Sequence, residues 1–417
     1  MPLPSRSTTF RRRAGRLLAL GGAVVLAAGA CGSSKSSSSS GAPIKVMLAG
    51  TISSQAFSFP ETVSGAQAAI AALNSSGGLN GHKIETVSCN DQLDPNVAAQ
   101  CGRQAVSDQV SAVIEVETDY APEMLQSLTP AHIPLLGNLP GNPVELTSSN
   151  VFTLGGGSYA LFSGLGTAMV KVGHCQKTAV VVLNLAATEL SGRNIRTAVE
   201  LAGGKVTGIQ AVSPTLPSYA SVVTTAIDQG ADCIANVLGP AQVTALVEAM
   251  HTSSKPNMIL GSAAGDITPQ GFQSMRNSLT GDIFSSVQYL EPSADTSGHP
   301  AGVLSAFESD MKKYEPNALV DSESLAGWQA MTIFIHAART VSHYDAATML
   351  GALSKVHGLQ LSGMPVPVSY DTPNPNPKMA RVTDPYVITY QIENGDYHLL
   401  PGKIDISKPL GQFLNQG

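Results

Sequence analysis

Residues 77–114 are GGLNGHKIETVSCNDQLDPNVAAQCGRQAVSDQVSAVI, a stretch that contains a turn, a strand, a helix and a second strand. The paired glycines at 77–78 end a preceding helix, because glycine readily adopts the conformation found just past a helix C-terminus. KIETVS, residues 83–88, is strand-like, and the Asp-Pro pair after it opens a helix over 95–109. SAVIEVE, residues 111–117, follows as the next strand. A strand, a helix and a strand in this order predict a parallel pair of strands.

The same alternation extends over most of the chain from residue 44. Short apolar runs such as IKVMLAG, residues 44–50, suit strands buried on both faces, and segment 61–75 has the spacing of an amphipathic helix. A second series begins near residue 155. Its predicted helices are 158–172, 191–203, 218–228 and 240–253, and its predicted strands are TAVVVLN, KVTGIQA, DCIANVLG and NMILG. The sequence therefore predicts an α/β protein with two doubly wound parallel-sheet lobes and a ligand cleft between them.

The last third of the chain is expected to return to each lobe once. Two amphipathic helices follow DIFSSVQYL, and two strands, VPVSYD and YVITYQI, close the chain. A single core stops growing at about 250–300 residues, so two units are expected for 417 residues. The predicted boundaries are 43–152 with 288–378 for the first lobe, and 153–287 with 379–417 for the second.

Residues 1–30 have the features of a secretory signal. Five arginines precede an apolar run from residue 17 to residue 30 that is too short to span a membrane as a helix. Ala28-Gly29-Ala30-Cys31 resembles the lipobox of bacterial lipoproteins, in which the cysteine is acylated and becomes the new N-terminus. The Ser-rich segment 31–42 is then a flexible tether to the membrane. The alternatives are a buried helix, which the lack of a polar face disfavours, and cleavage beside Cys31 that releases a soluble protein.

The charge balance excludes some partners. Without residues 1–30 the chain keeps 19 basic and 30 acidic side chains, a formal charge of −11. Nucleic acids and anionic lipids bind clustered Lys and Arg, so neither is expected as a partner.

Four cysteines remain once Cys31 is set aside, and in an exported protein they are expected to form disulfides. Cys89 ends a strand and Cys101 lies in the next helix, while Cys175 and Cys233 each precede an apolar run. We therefore predict the pairs Cys89–Cys101 and Cys175–Cys233, the alternative being reduced cysteines in the core. The sequence has no Cys-x-x-Cys pair, which would be typical of a thiol redox or zinc site. We expect no metal site and no cofactor.

Residues 44 to about 405 resemble the leucine/isoleucine/valine-binding type of extracytoplasmic solute-binding proteins of ABC importers, which have the type I periplasmic-binding fold. Two segments carry the resemblance: 77–114, with its Gly-Gly-hydrophobic-Asn-Gly turn and Asp-Pro-opened helix, and PLLGNLPGNPVELT at 134–147. In this fold ligands bind beyond the carboxyl ends of the strands. The expected ligand-binding residues are Thr51, Phe57, Thr118, Asp119, Tyr120, Pro140, Gly141, Asn142, Asn184, Gly239 and Ser262.

The amino-acid signature of that family is altered here. Asp119 stands where the family has a hydroxyl that holds the ligand carboxylate, and Pro140-Gly141-Asn142 replaces a segment of small residues and Thr. A carboxylate at position 119 would repel a ligand carboxylate. We therefore expect weak binding of leucine, isoleucine and valine, and an amine, amide or hydroxyl of a polar or amphipathic solute at Asp119. Alternatively, Asp119 is a solvated acid or a helix cap.

The resemblance implies a binding protein rather than an enzyme. The sequence contains no His-x-x-x-His, Gly-x-Ser-x-Gly or phosphate-loop motif. The expected function is capture of a small solute, such as an amino acid, an amide or a similar small molecule, and its delivery to ABC permease subunits. The protein is expected to be a monomer anchored by lipid on the extracytoplasmic face of the bacterial membrane. The alternative is a ligand-binding receptor that partners a membrane signalling sensor.

Overall fold

The structure is a computed structural model. It describes residues 41–54, 58–137, 139–263, 267, 271, 274–275, 283–287, 289–292, 302–393 and 396–416. The predicted signal peptide, Cys31 and the candidate ligand residue Phe57 lie outside the described residues, as does most of the predicted tether.

The described elements alternate as the sequence predicts. The strands are β1 (Ile44–Gly50), β2 (Ile84–Asn90), β3 (Ala112–Val116), β4 (Leu135–Gly137), β5 (Val151–Thr153), β6 (Lys177–Leu183), β7 (Lys205–Val212), β8 (Cys233–Val237), β9 (Ile259–Ala263), β10 (Ile283–Val287), β11 (Tyr386–Glu393), β12 (Asp396–Leu399) and β13 (Ile404–Asp405). The helices are α1 (Pro60–Ser75), α2 (Pro95–Ser107), α3 (Ala121–Leu128), α4 (Gly157–Lys171), α5 (Ala186–Ala202), α6 (Ala220–Asp228), α7 (Pro240–His251), α8 (Ser305–Tyr314), α9 (Ser322–Ala338), α10 (Ala346–Leu353) and α11 (Ser407–Gln416).

The first sheet is parallel throughout, with the strand order β2-β1-β3-β4-β5. Successive side chains of a strand point to opposite faces, so Val46 and Leu48 pack with α1 and α9, while Met47 and Ala49 pack with α2 and α3. Burial on both faces explains why β1 is almost continuously apolar. We call this sheet and helices α1–α3 and α8–α10 the first lobe.

The second sheet combines parallel and antiparallel strands. Its order is β12-β11-β10-β9-β8-β6-β7, with β13 paired to β11. Strands β6 to β10 are parallel, and β11 runs antiparallel to both β10 and β12. Helices α4 and α5 cover one face, and α6 and α7 cover the other. We call this sheet, α4–α7 and α11 the second lobe; the chain passes between the lobes after β5, after β10 and after α10.

The segment that decides the fold has the predicted local structure. The Asp94 side chain accepts hydrogen bonds from the backbone N–H groups of Asn96, at 2.7 Å, and Val97, and Pro95 occupies the first turn of α2. Gly77 and Gly78 both have positive φ, which ends α1. Local chemistry is therefore sufficient to start α2 and to end α1.

Predictions near the C-terminus were less accurate. The predicted strand VPVSYD is wrong: only an isolated bridge joins Val368 to Leu359, because Pro365 and Pro367 have no N–H to donate to a ladder. Strands β5, β12 and β13 and helices α10 and α11 were not predicted. Helix α5 begins at Ala186, earlier than the predicted start at residue 191.

The structure joins the cysteine pairs that the sequence suggests. Cys89 is bonded to Cys101 across a separation of 12 residues, and Cys175 to Cys233 across 58 residues. Each bridge lies within one lobe and leaves the connections between the lobes unconstrained. Within the described residues, every helix is too short or too polar to cross a bilayer.

Candidate functional site

The strand orders create a crevice at the carboxyl ends of both sheets. In the first sheet β1 lies between β2 and β3, and in the second β6 lies between β7 and β8. The connections that follow β1 and β3 leave toward opposite faces of the first sheet, and those that follow β6 and β8 leave toward opposite faces of the second. The loops therefore separate at these points and expose backbone groups and helix N-termini. The carboxyl ends of β1, β3, β6 and β8 are therefore the expected ligand position.

A cavity of about 470 Å³ occupies this position. Its walls come from the loops after β1 and β3, from the first turns of α1 and α9, and from the starts of α4, α5 and α7. Its volume falls in the range of about 300–1,000 Å³ that is usual for small-molecule sites. The cavity can therefore enclose a small solute between residues of the two lobes.

The part of the cavity wall formed by the first lobe and by the segment after β10 is strongly acidic. We call it the acidic wall; its carboxyl side chains are Glu61, Glu117, Asp119, Glu291, Asp321 and Glu323. Among the described lining residues there is no Lys, Arg or His. Burying carboxylates without a cation is unfavourable, so their pKa values are expected to rise.

Among the described residues, the part of the cavity wall that belongs to the second lobe has no formal charge. We call it the neutral wall; its apolar side chains are Leu161, Phe162, Val237 and Ile267, and its polar side chains are Ser158, Thr188, Ser191 and Gln242. A hydrogen bond joins the two walls: the Ser158 hydroxyl donates to Glu117 Oε1 at 3.1 Å. The solute position is therefore bounded by charge on one side and by apolar and amide or hydroxyl groups on the other.

Asp91 fixes the direction of two hydroxyl groups on the cavity. This fully buried carboxylate follows β2 and accepts hydrogen bonds from Thr51 Oγ1, at 2.9 Å, and from Thr118 Oγ1. Thr118 Oγ1 in turn accepts the N–H of Tyr120 at 3.0 Å. Since each hydroxyl has one proton, neither can donate to a ligand while it is bonded to Asp91. Toward the cavity, both hydroxyls offer only acceptor lone pairs.

Glu117 and Asp119 follow β3 directly and are partly exposed to the cavity. Burial, followed by the charge of Asp119, raises the pKa of Glu117 to about 8, and the hydrogen bond from Ser158 opposes this shift. Burial, followed by the charge of Asp91, raises the pKa of Asp119 to about 6. Asp119 does not cap the next helix, because Tyr120 occupies the N-cap of α3 and no side chain caps it. The helix-cap interpretation of Asp119 is therefore wrong.

The segment after β10 and the start of α9 bring three further acids to the cavity. Asp321 caps the helix by accepting the Ser324 N–H at 2.9 Å, and Glu291 accepts the Ser322 N–H at 3.3 Å. Glu323 is only 5% exposed, and neither of its carboxyl oxygens has a hydrogen-bond partner in the described protein. Burial, followed by the charge of Glu117, raises the pKa of Glu323 well above its usual value. Glu323 is thus a buried acceptor beside the cavity that nothing described satisfies.

A second pair of acids lies under the loop after β4. Glu115 and Glu145 are fully buried, and burial raises the pKa of both, to about 8 for Glu115. Glu145 Oε2 accepts the backbone N–H of Asn142 at 2.8 Å. This bond fixes the loop that carries Pro140 and Gly141, so Glu145 helps to position Gly141 at the cavity.

The structure brings only part of the predicted ligand set to the cavity. Thr51, Thr118, Asp119 and Gly141 line it. The other described candidates, which do not line it, are Tyr120, Pro140, Asn142, Asn184, Gly239 and Ser262. Asn184 is exposed, and Ser262 lies within β9, where its Oγ accepts from Asn236 Nδ2 at 3.0 Å.

Sequence reasoning missed most of the acidic wall. Glu117 lies two residues before Asp119 at the end of β3, and Glu61 lies in the first turn after β1, so both positions follow from the strand-end rule. Glu291, Asp321 and Glu323 gave no such signal, because their segment reaches the cavity only through the packing of α9 against α1. The sequence predicts which strand ends form the site, but not which distant segment joins them.

Comparison with known proteins agrees with this architecture. The sequence model of the family described as periplasmic binding protein matches residues 43–384. This chain belongs to that family. Members of the periplasmic binding protein family act outside the cytoplasm as solute-binding components. A search of curated protein sequences gave no significant match.

Solved structures of periplasmic binding proteins share the fold at low identity. The branched-chain amino acid transporter substrate-binding protein LivJ of Streptococcus pneumoniae, in complex with isoleucine, is 15% identical with a TM-score of 0.72; the alignment covers 87% of this chain and 100% of that one. The fatty acid ABC transporter substrate-binding protein of Thermomonospora curvata is 15% identical with a TM-score of 0.73; the alignment covers 89% of this chain and 94% of that one. An ABC transporter solute-binding protein of R. palustris in complex with benzoate is 16% identical with a TM-score of 0.69; the alignment covers 86% of this chain and 95% of that one. The two-lobed fold predicted from the sequence is thereby confirmed.

Proposed function

We propose that this periplasmic binding protein captures a small polar or amphipathic solute between its lobes and delivers it to the permease subunits of an ABC importer. The observation that carries the proposal is the cavity at the carboxyl ends of both sheets, with walls from both lobes. Three passages of chain connect the lobes, an arrangement that allows hinge closure around a ligand. We expect 43–152 with 288–378, and 153–287 with 379–417, to move as the two units.

Binding without catalysis is the expected role of the cavity. The family functions by holding a solute, and we propose the same here, with the protein acting as a monomer that needs no metal or cofactor. The acidic wall repels the carboxylate of leucine, isoleucine or valine, and the Thr51 and Thr118 hydroxyls, which donate to Asp91, have no proton left to donate to it. The solute is therefore expected to differ from those amino acids.

The test of this function is a thermal-shift screen of small solutes on the purified protein, followed by small-angle scattering. A bound solute raises the unfolding temperature by mass action. It is also expected to reduce the radius of gyration by closing the lobes. A solute that stabilises the protein without changing its radius of gyration would argue for a rigid scaffold and against capture by closure.

We also propose that Cys31 is lipidated after removal of residues 1–30 and that segment 31–42 tethers the protein to the outer face of the membrane. The support is the lipobox resemblance and the serine composition of the tether. Mass spectrometry of the mature N-terminal peptide decides this point: an acylated Cys31 is expected, and cleavage elsewhere or a free thiol would contradict it. Cys31→Ala is expected to prevent processing or to release the protein into the medium.

A further inference from the structure

The acidic wall concentrates carboxyl groups without a basic residue among the described residues that line the cavity. Six carboxyl groups line one cavity, Asp91 lies directly behind them, and no described lining residue is basic. The charges also interact with each other, since the neighbouring carboxylates raise the pKa values of Glu117, Asp119 and Glu323. A site of this kind favours a positively charged ligand.

Two further observations point to the same ligand chemistry independently of the charge count. Glu323 is buried with both carboxyl oxygens unpartnered, and it borders the cavity. Buried acceptors are almost always hydrogen-bonded in native structures, so a donor from a ligand is expected here. In addition, Thr51 and Thr118 donate their hydroxyl protons to Asp91 and present acceptors to the cavity. Carboxyl groups and hydroxyls together require donors from the solute.

We propose that the solute is an organic cation with at least two protonated amino or guanidino groups joined by an aliphatic chain, as in diamines and polyamines. This inference rests on the proposed function and specifies its ligand class. The cationic groups face the acidic wall, and the aliphatic chain lies against Leu161, Phe162, Val237 and Ile267 of the neutral wall.

The spacing of the acids favours an extended organic cation over a metal ion. Within the described part of the chain, no three carboxylates of the acidic wall bring an oxygen each to within 4.8 Å of one another. A calcium ion needs six to eight oxygen ligands at about 2.3–2.6 Å, so one ion cannot be held by carboxylates this far apart. A chain with separated charges can reach them.

The acids fall into two groups, which explains the need for two cationic groups. Glu61, Asp321 and Glu323 line the cavity from the starts of α1 and α9, whereas Glu117 and Asp119 line it from the end of β3. Glu117 interacts with both Asp119 and Glu323. One ammonium group would neutralise only one of these groups, and a second, several bonds away, would neutralise the other.

The experiment is isothermal titration calorimetry of the purified protein at pH 7.5 and constant ionic strength. The probes are 1,4-diaminobutane and spermidine, with butylamine, 1,4-butanediol, leucine and CaCl₂ as comparisons. Since a charge-assisted hydrogen bond contributes roughly a tenfold to hundredfold factor in affinity, we expect a diamine to bind at least about tenfold more tightly than butylamine. The diol, leucine and calcium are expected to give no heat of binding.

The matched variants are Glu323→Gln in the acidic wall and Glu308→Gln on the exposed face of α8. Glu323→Gln is expected to weaken spermidine binding at least about tenfold without lowering the unfolding temperature of the ligand-free protein, because it removes a carboxyl that has no protein partner. Glu308→Gln is expected to change neither value. A residue with only a structural role would instead change stability and leave affinity intact.

Two results would overturn the inference and leave solute binding in place: tighter binding of leucine, the diol or calcium than of any amine, or spermidine binding that Glu323→Gln does not weaken. Failure of every probe to bind, together with no stabilising solute in a broader screen and an unchanged radius of gyration, would overturn both the inference and the proposed function.

Discussion

The two walls of the cavity are built from the same kind of element but differ in chemistry. Helices α1 and α9 of the first lobe and α4, α5 and α7 of the second all begin at the cavity. A helix N-terminus stabilises a nearby carboxylate, and the first lobe has acids at both of its helix starts, Glu61 beside α1 and Asp321 with Glu323 beside α9. In the second lobe, α4 and α7 begin without an acid, and Glu189 in the first turn of α5 does not line the cavity.

This difference assigns separate tasks to the lobes. The first lobe determines the sign of the charge that can bind, whereas the second lobe covers the solute with apolar and neutral polar groups. The fold requires none of this asymmetry, because either set of helix starts could accept acids. The asymmetry therefore comes from this chain's own side chains and not from the fold, and the predictions below test, from the largest expected effect to the smallest, whether it selects the ligand.

The largest effect is expected from Asp119→Ala. The substitution removes a charged acceptor from the acidic wall, so affinity for the solute, with spermidine as probe, should fall at least about tenfold. Calorimetry measures this change, and Glu248→Gln, on the exposed face of α7, is the matched control that should have no effect. Micromolar leucine binding that Asp119→Ala does not alter would restore the ordinary branched-chain amino-acid site.

A second comparison uses 1,5-diaminopentane and lysine, which differ by one carboxylate. If all cationic groups face the acidic wall, the added carboxylate is repelled, and lysine should bind about tenfold more weakly than the diamine. Competition against spermidine measures the ratio. Tighter binding of lysine would show that the helix starts of the neutral wall hold an anion, and the assignment of tasks would have to be revised.

The third prediction concerns the pH dependence of the ligand-free protein. The folded state raises the pKa of Glu117 to about 8 and of Asp119 to about 6, so between about pH 5 and 8 it binds more protons than the unfolded chain. Stability must then fall as pH rises through this window, by at most about 1.4 kcal/mol for each unit of pKa shift. Unfolding temperatures measured from pH 5 to 8 should decrease.

Glu117→Gln is expected to flatten that pH dependence in part. A residual slope should remain, because burial also raises the pKa of Glu115 to about 8 and that of Asp384 to about 7. A saturating diamine should flatten the slope as well, since the bound cation stabilises the ionised carboxylates. A ligand-free protein whose stability rises from pH 5 to 8 would contradict the acidic wall as described.

The smallest effect is expected from Ser158→Ala, which removes the hydrogen bond between the walls at Glu117. A hydrogen bond contributes about 0.5–1.5 kcal/mol, or up to about 3 kcal/mol where the acceptor is charged, and water recovers part of this at a partly exposed site. We expect affinity to fall only a few-fold and the radius of gyration of the ligand-free protein to rise slightly. Ser163→Ala, which removes a hydroxyl bonded to Asn194 inside the second lobe, is the control; it should affect stability and not lobe opening.

Much of the fold could be predicted because its signals are local or repeat along the chain. Each local signal depends on residues only a few positions away along the chain, as in the Asp94-Pro95 helix start, the glycines at 77–78 and the apolar strands buried on both faces. Both cysteine pairs follow from neighbouring elements. The failures have different causes: Pro365 and Pro367 rule out the strand predicted at VPVSYD, β12 and β13 are short strands that pair with β11, and α11 packs on α4 and α5, which lie far from it in the sequence.

For the site, the sequence by itself determined which strand ends border the cavity, and the family resemblance identified Asp119 as a departure from the amino-acid pattern. Tertiary structure decided the rest. It brought Glu291, Asp321 and Glu323 beside Glu117 through the packing of α9 on α1. It also placed Asp91 behind Thr51 and Thr118, so that these hydroxyls donate to Asp91 and offer only acceptor lone pairs to the cavity. The reason is physical: a strand end is defined by the local pattern, whereas the charge and hydrogen-bond direction in a cavity depend on every segment that reaches it.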